Sequence, residues 1–122
     1  GNMPKNFVTL VKQHGALLAK GWLLGVQFDT LFTDNLYCRI ARRANDAADR
    51  IRKVLVERGY TLTFDAPTNQ IFITLDNETS ERLQRSVCLG FMEKADDTHT
   101  VMRICTSWAT TDEQVEQLIA LL

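Results

Sequence analysis

The spacing of apolar residues near the start of the chain predicts a helix. Between Lys5 and Phe32, apolar residues recur at steps of three and four, and Pro4 suits the first helical turn. The helix is apolar on more than one face, so we expect it to contact a missing domain or a partner chain. The predicted helix contains Gly15, Gly21 and Gly25. Each glycine in a helix interior lowers helix stability by about 1 kcal/mol relative to alanine.

A second helix is predicted from Leu36 to Arg58, between the polar break Thr33-Asp34-Asn35 and Gly59. One face carries an apolar stripe that includes Ala44, Ala47, Ala48, Ile51 and Leu55. The opposite face carries the basic residues Arg39, Arg42, Arg43, Arg50, Arg52 and Lys53. Because no aromatic residues alternate with these cations, we expect a solvated face and no RNA contact.

The rest of the chain alternates between strand-like and helical patterns. Strands are predicted at Tyr60–Phe64, Gln70–Leu75, Val87–Met92 and Thr100–Thr106, and helices at 77–86 and 110–122. Asn77 is expected to cap the first of these helices, and Thr110 with Glu113 to form a capping box for the second. The order α-α-β-β-α-β-β-α predicts a two-layer α+β domain with a mainly antiparallel four-stranded sheet.

Length and charge exclude several classes of protein. The 122 residues suffice for one domain, and the net charge of −1 provides no field for nucleic acid or an anionic membrane. No apolar run approaches the roughly 18 residues of a membrane span. The start of the chain, Gly1 to Lys5, lacks the pattern of a signal peptide, so we expect a cytoplasmic protein.

The residues that most often carry chemistry are scattered. Cys38, Cys88 and Cys105 form no Cys-x-x-Cys motif, and His14 and His99 are isolated, so we expect no metal site. The three thiols are expected to be reduced and mostly buried. No catalytic triad, phosphate-binding glycine loop or paired-carboxylate motif is present. Composition and periodicity alone therefore indicate only an α+β domain.

Three tracts resemble low-specificity threonine aldolases, in matching order and spacing over nearly the whole chain. Residues Val11–Phe28, VKQHGALLAKGWLLGVQF, resemble the helix that follows the cofactor lysine of that family. Residues Ala66–Phe72, APTNQIF, resemble its Thr-Asn followed by an apolar strand. Residues Met102–Trp108, MRICTSW, and Thr110–Val115 resemble its Arg-x-x-Thr-Ser-Trp strand and the start of its final helix.

The resemblance implies a type I aminotransferase fold, in which a large domain binds pyridoxal phosphate (PLP) and a small C-terminal domain closes over the substrate. Residues 1–122 would form the small domain, and residues 5–32 would be the helix leading in from the large domain. The family also implies a homo-oligomer, a dimer or tetramer. Lys12 and Lys20 correspond to basic residues near the cofactor phosphate, and Asn69 to a residue near the substrate.

Arg103 is the strongest candidate for a substrate contact. By resemblance, it binds the α-carboxylate of an amino-acid substrate. A guanidinium holds a carboxylate through two parallel hydrogen bonds and fixes its plane. PLP chemistry requires such a fixed orientation, because the breaking bond must stand perpendicular to the cofactor ring. Arg103 also lies in an apolar strand, where an unpaired charge is costly.

The resemblance predicts part of an enzyme that cleaves a β-hydroxy-α-amino acid to glycine and an aldehyde. A β-eliminating lyase on the same scaffold is an alternative, and a free-standing α+β interaction module is another. No lysine in these residues has the context of the family's cofactor lysine. We therefore expect no catalytic residue in this chain and no turnover by the chain alone.

Overall fold

The computed structural model describes residues 2–122, which form two compact units, one that ends at Tyr37 and one that spans Cys38–Leu122. The first unit contains helices α1 (Phe7–Gln13) and α2 (Gly21–Phe32). The single helix predicted from Lys5 to Phe32 is wrong, since residues 14–20 are not helical. Gly15 has a φ of 65°, a left-handed conformation that glycine adopts without steric cost and that interrupts helices.

Large apolar side chains of the first unit remain exposed. Trp22, Phe28 and Phe32 are 67%, 63% and 63% exposed, and no described residue of α1 or α2 is buried. The rings of Phe28 and Phe32 stack with their centroids 5.9 Å apart, and Phe32 also stacks on Tyr37. Exposed apolar surfaces often mark interfaces, and the expected contact of this segment with another domain or chain stays a prediction.

A short 3-10 turn, Thr33–Asn35, leads into α3 (Leu36–Glu57), and the second unit continues from Cys38 in this helix. The remaining elements are β1 (Thr61–Leu62), β2 (Gln70–Asp76), α4 (Asn77–Gln84), β3 (Gly90–Lys94), β4 (His99–Cys105) and α5 (Asp112–Leu121). Apart from the divided first helix, the predicted order of elements is confirmed. The third strand begins three residues later than predicted, at Gly90.

The four strands form one antiparallel sheet in the order β1-β2-β4-β3, which confirms the predicted α+β class. Strands β2 and β4 pair along their full length, from Gln70 opposite Cys105 to Asp76 opposite His99. Their core-facing residues pack with the apolar stripe of α3 and with Leu83 and Val115 of the later helices. The strand members of this core are Ile71, Ile73, Leu75, Met102 and Ile104.

The caps of the two later helices differ from the prediction by one residue. Asp76, and not Asn77, caps α4 by accepting a hydrogen bond from the backbone N–H of Thr79 at 2.8 Å. That hydrogen bond holds the pKa of Asp76 below its ordinary value. The capping box of α5 joins Thr111 and Gln114, because the helix starts one residue later than the pattern indicated.

The basic face of α3 is not wholly solvated. Arg50 forms ion pairs with Asp112 and Glu116 of α5. Arg52 pairs with Asp49 and donates to the backbone oxygen of Ala66 at 2.8 Å. These two guanidinium groups fix α3 to its neighbours, so the expectation of a purely solvated face is wrong for them.

The expectation of mostly buried thiols is also wrong, since Cys38, Cys88 and Cys105 are all exposed and unbridged. Within residues 2–122, no helix is long and apolar enough to cross a membrane. The same residues contain no cluster of three or more histidine, cysteine or acidic side chains arranged to hold a metal ion.

Two adjacent residues of α3 test how far the core stabilises the second unit. Leu55 is fully buried, whereas Val56 is 57% exposed. We expect Leu55→Ala to lower the free energy of unfolding by about 2–5 kcal/mol through lost contacts and a residual cavity. Val56→Ala should change it by less than about 0.5 kcal/mol. Urea unfolding followed by circular dichroism measures both, and equal effects would contradict the described core.

Candidate functional site

The face of the sheet opposite the core carries the candidate site. Side chains alternate between the two faces along a strand, and residues directly opposite each other in neighbouring strands share a face. Arg103 lies opposite Phe72 on one side and Gly90 on the other. We call the surface formed by Gln70, Phe72, Gly90 and Arg103 the arginine face. None of these residues belongs to the hydrophobic core cluster.

The guanidinium of Arg103 is only partly satisfied by the protein. One terminal nitrogen is 3.4 Å from Oε1 of Gln70, a long and weak hydrogen bond. The Nε atom is buried and has no hydrogen-bond partner. No carboxylate of residues 2–122 lies within ion-pair distance of Arg103. A buried donor without a partner costs about 1–3 kcal/mol, and more when it is charged.

Gly90 leaves room beside the guanidinium. A Cβ atom at position 90 would lie 3.4 Å from Nε of Arg103 and 3.6 Å from its Cβ. These distances allow a methyl group to touch the arginine but leave no space for a larger side chain. The absence of a side chain on β3 therefore allows the guanidinium to lie against that strand.

An aromatic pair stands on the other side of Arg103. The rings of Phe64 and Phe72 stack with their centroids 4.4 Å apart. Phe72 is held in the ladder by the backbone N–H of Thr63, which donates to its carbonyl at 2.9 Å. Phe64 is 53% exposed, so the pair presents an apolar surface close to the charged group.

Asn69 joins the ends of β2 and β4. Its amide nitrogen donates to the backbone oxygen of Thr106 at 2.7 Å, and the N–H of Thr106 donates to the oxygen of Asn69 at 3.0 Å. The Thr106 hydroxyl donates to the carbonyl of Ala44 in α3 at 2.6 Å. This network fixes the start of β2 and the end of β4 to α3, and Arg103 lies three residues before Thr106.

Lys12 and Lys20 belong to the first unit. Lys12 lies in the last turn of α1, and Lys20 is the N-cap residue that precedes α2. Both are exposed, and neither forms an ion pair within residues 2–122. Exposed ammonium groups without partners are suitable donors for a phosphate. That these lysines and Arg103 serve one site stays a prediction from the family resemblance.

Sequence reasoning named Arg103 and Asn69 as candidates, which stay predictions, and it did not name the residues beside the guanidinium. Gln70, Phe72 and Gly90 become neighbours of Arg103 only through strand pairing, from 13 to 33 residues away along the chain. An isolated glycine within a strand pattern is a known indication of close backbone approach, and Gly90 carried that signal.

Part of a known structure is similar to this chain over nearly its whole length. The structure of Leishmania major threonine aldolase matches with a TM-score of 0.86 and 35% sequence identity, over 97% of this chain and 34% of that one. The chain therefore spans about a third of the length of that protein. No family model matches the chain, and no curated protein does.

Two serine palmitoyltransferase structures share the fold at lower similarity. That of Sphingomonas wittichii matches with a TM-score of 0.53 and 21% identity, over 66% of this chain and 23% of that one. Another, solved with PLP as an internal aldimine, matches with a TM-score of 0.51 and 12% identity, over 62% and 21%. The resemblance to threonine aldolases and to the small domain of type I PLP enzymes is confirmed.

Substitutions at position 90 test how Gly90 positions the guanidinium. Gly90→Val should displace Arg103, since its side chain extends beyond the 3.4 Å gap at Nε. Gly90→Ala is the matched control, and it should leave the guanidinium in place. The Nε–Hε resonance of Arg103 in a nitrogen–proton NMR spectrum reports the outcome. An unchanged resonance in Gly90→Val would show that β3 does not restrict this side chain.

Proposed function

We propose that this chain is the small domain of a PLP-dependent amino-acid lyase, in which Arg103 binds the α-carboxylate of the substrate. The proposal is supported by 35% identity with Leishmania major threonine aldolase over 97% of the chain. The reaction that fits this relationship best is cleavage of a β-hydroxy-α-amino acid to glycine and an aldehyde. The observation that carries the assignment of Arg103 is a half-buried guanidinium whose one hydrogen bond within residues 2–122 is the 3.4 Å contact with Gln70.

The geometry around Arg103 suits a carboxylate for a specific reason. A planar guanidinium donates two parallel N–H bonds to the two carboxylate oxygens, and its two terminal nitrogens form such a fork. In this structure Nε is unpartnered and the neighbouring hydrogen bond to Gln70 is long, at 3.4 Å. A carboxylate can therefore bind without breaking a strong bond within the protein.

Fixing the carboxylate also fixes the rest of the amino acid. Two hydrogen bonds in one plane prevent rotation of the carboxylate and so restrict the orientation of the Cα–Cβ bond. Phe72, which stacks on Phe64, lies opposite Arg103 and would limit the access of water from that side once a substrate is bound. Exclusion of water strengthens the charge pair, because the effective dielectric constant falls. This chain would therefore bind and orient the substrate and leave proton transfer to groups elsewhere.

The cofactor contacts of this chain would be limited to its phosphate. Lys12 and Lys20 are exposed ammonium groups of the correct sign, and they would hold the phosphate through charge-assisted hydrogen bonds. The chemistry that PLP supplies when bound is an electron sink for the α-carbon of the amino acid. We infer that the Schiff-base lysine comes from the large domain, because the chain corresponds to only 34% of the aldolase.

The exposed apolar residues of the first unit support the presence of a further domain. Trp22, Phe28 and Phe32 are more than half exposed, as are Leu17 and Leu18. Contiguous apolar surfaces of this kind on soluble proteins mark interfaces. In the proposed enzyme they would pack against the large domain or against a second subunit of a homo-oligomer.

Substitution of Arg103 tests the proposed role in the protein encoded by the complete open reading frame. Arg103→Ala should lower kcat/KM for a β-hydroxy-α-amino acid by about 10²–10³-fold, mainly through a higher KM, because a charged hydrogen-bonded pair is lost. Arg103→Lys should restore only part of the loss, since an ammonium group cannot form the fork. Steady-state assays of aldehyde release measure both variants.

Arg85 provides a matched control for this experiment. It is an exposed arginine at the C-terminus of α4, and its substitution by alanine should leave kcat/KM unchanged. A KM for Arg103→Ala equal to that of the unmodified enzyme would exclude a carboxylate contact. The proposed function itself would fail if the complete reading frame encoded no lysine that PLP modifies.

The chain of 122 residues should not form a specific adduct with PLP. Its lysines, Lys5, Lys12, Lys20, Lys53 and Lys94, are all exposed, and an activated lysine is normally desolvated or placed next to another cation. Borohydride reduction and peptide mapping should find only low, similar labelling of all five. The protein from the complete reading frame is the positive control, and selective labelling of one lysine in the short chain would contradict the proposal.

A further inference from the structure

The pairing of β3 with β4 continues toward two cysteines. The ladder places Gly90 opposite Arg103 and Phe91 opposite Met102. Continued one step before Gly90, the same register would bring Leu89 opposite Ile104. Both of these side chains are buried, at 8% and 6% exposure, and both line one cavity of about 640 Å³. The packing of Leu89 and Ile104 therefore agrees with a register that extends beyond the hydrogen-bonded strand.

The ladder itself begins at Gly90, and if the same register continued two residues further it would place Cys88 opposite Cys105. Both cysteines border the cavity that Leu89 and Ile104 line, and both are exposed free thiols. Directly opposed residues of antiparallel strands have Cα atoms about 4.5–5.5 Å apart. Disulfides span Cα separations of about 4.4–6.8 Å. In that register the two residues would meet the distance requirement for a bond without rearrangement of the sheet.

We propose that Cys88 and Cys105 form a reversible redox site, which a peroxide converts to a cross-strand disulfide. The thiolate of one cysteine attacks a peroxide oxygen, the O–O bond breaks, and a sulfenic acid forms. The second thiolate attacks that sulfur and displaces hydroxide, which leaves as water after protonation. Two thiols and one hydrogen peroxide thus give one disulfide and two water molecules, and a dithiol reductant reverses the change.

The location of the pair favours an internal bond over a bond between chains. Cys105 is fixed in the ladder opposite Gln70 of β2, and the following residue, Thr106, is anchored to Asn69 and Ala44. Cys88 is bounded by the buried Leu89 and by α4, which ends at Gln84. Cys38, the third thiol, lies at the start of the second unit in α3 and far from this strand pair in sequence.

The test is oxidation of the chain of 122 residues with one equivalent of hydrogen peroxide at low protein concentration. We expect a mass loss of two hydrogens, reversed by dithiothreitol, and a melting temperature several degrees higher, because the bond closes the loop from residue 88 to residue 105. Trypsin cleaves after Arg85, Lys94 and Arg103. Non-reducing peptide mapping should therefore join residues 86–94 to residues 104–122.

Serine substitutions separate this pair from ordinary thiol oxidation. Cys88→Ser and Cys105→Ser should each abolish the joined peptide, and Cys38→Ser, the matched control, should leave it unchanged. Mapping of the unsubstituted chain provides the same information if a variant fails to fold. Alkylation of both thiols after peroxide treatment, conversion to separate sulfinic acids, or cross-links only between chains would each overturn the proposal. None of these outcomes depends on whether Arg103 binds a substrate.

Discussion

The antiparallel register between β2 and β4 is the constraint on which the rest of the second unit depends. It pairs Ile71 with Ile104 and Ile73 with Met102 on the core face, and it places Arg103 beside Phe72 on the other. A shift of one residue would exchange these faces, burying the guanidinium in the core and exposing the apolar side chains. The large cost of burying an unpaired charge therefore acts together with the hydrophobic core to fix the register.

The two units differ in how completely they bury their own apolar side chains. The second unit has a continuous core in which Ala48, Ile73 and Leu55 are fully buried. The first unit has no buried described residue in its helices, although α2 is rich in large apolar side chains. A short helix is marginally stable in water without tertiary contacts. The stability of α2 in the proposed enzyme would thus come from surfaces outside this chain.

The sequence pattern predicted which helices and strands form better than it predicted where they end or which residues they bring into contact. The long stripe of α3 and the β-branched run of β2 were recognisable, because burial imposes a regular period on both. The break near Gly15 was missed, since apolar residues continue across it at helical spacing. Arg103 was identified through family resemblance, but its contact with Gln70 could not be, because strand register is set by packing over the whole sheet.

The unsatisfied Nε of Arg103 connects the stability of the domain with its proposed function. A buried donor without a partner lowers stability, and a carboxylate bound to the terminal nitrogens would offset part of that cost by stabilising the folded state. Gly90 maintains this state, because it lets the guanidinium lie against β3 and supplies no acceptor side chain of its own. A carboxylate in this position would have made the sheet more stable by forming an internal ion pair. It would also have competed with a substrate carboxylate, so the lack of such a pair is the arrangement that binding requires.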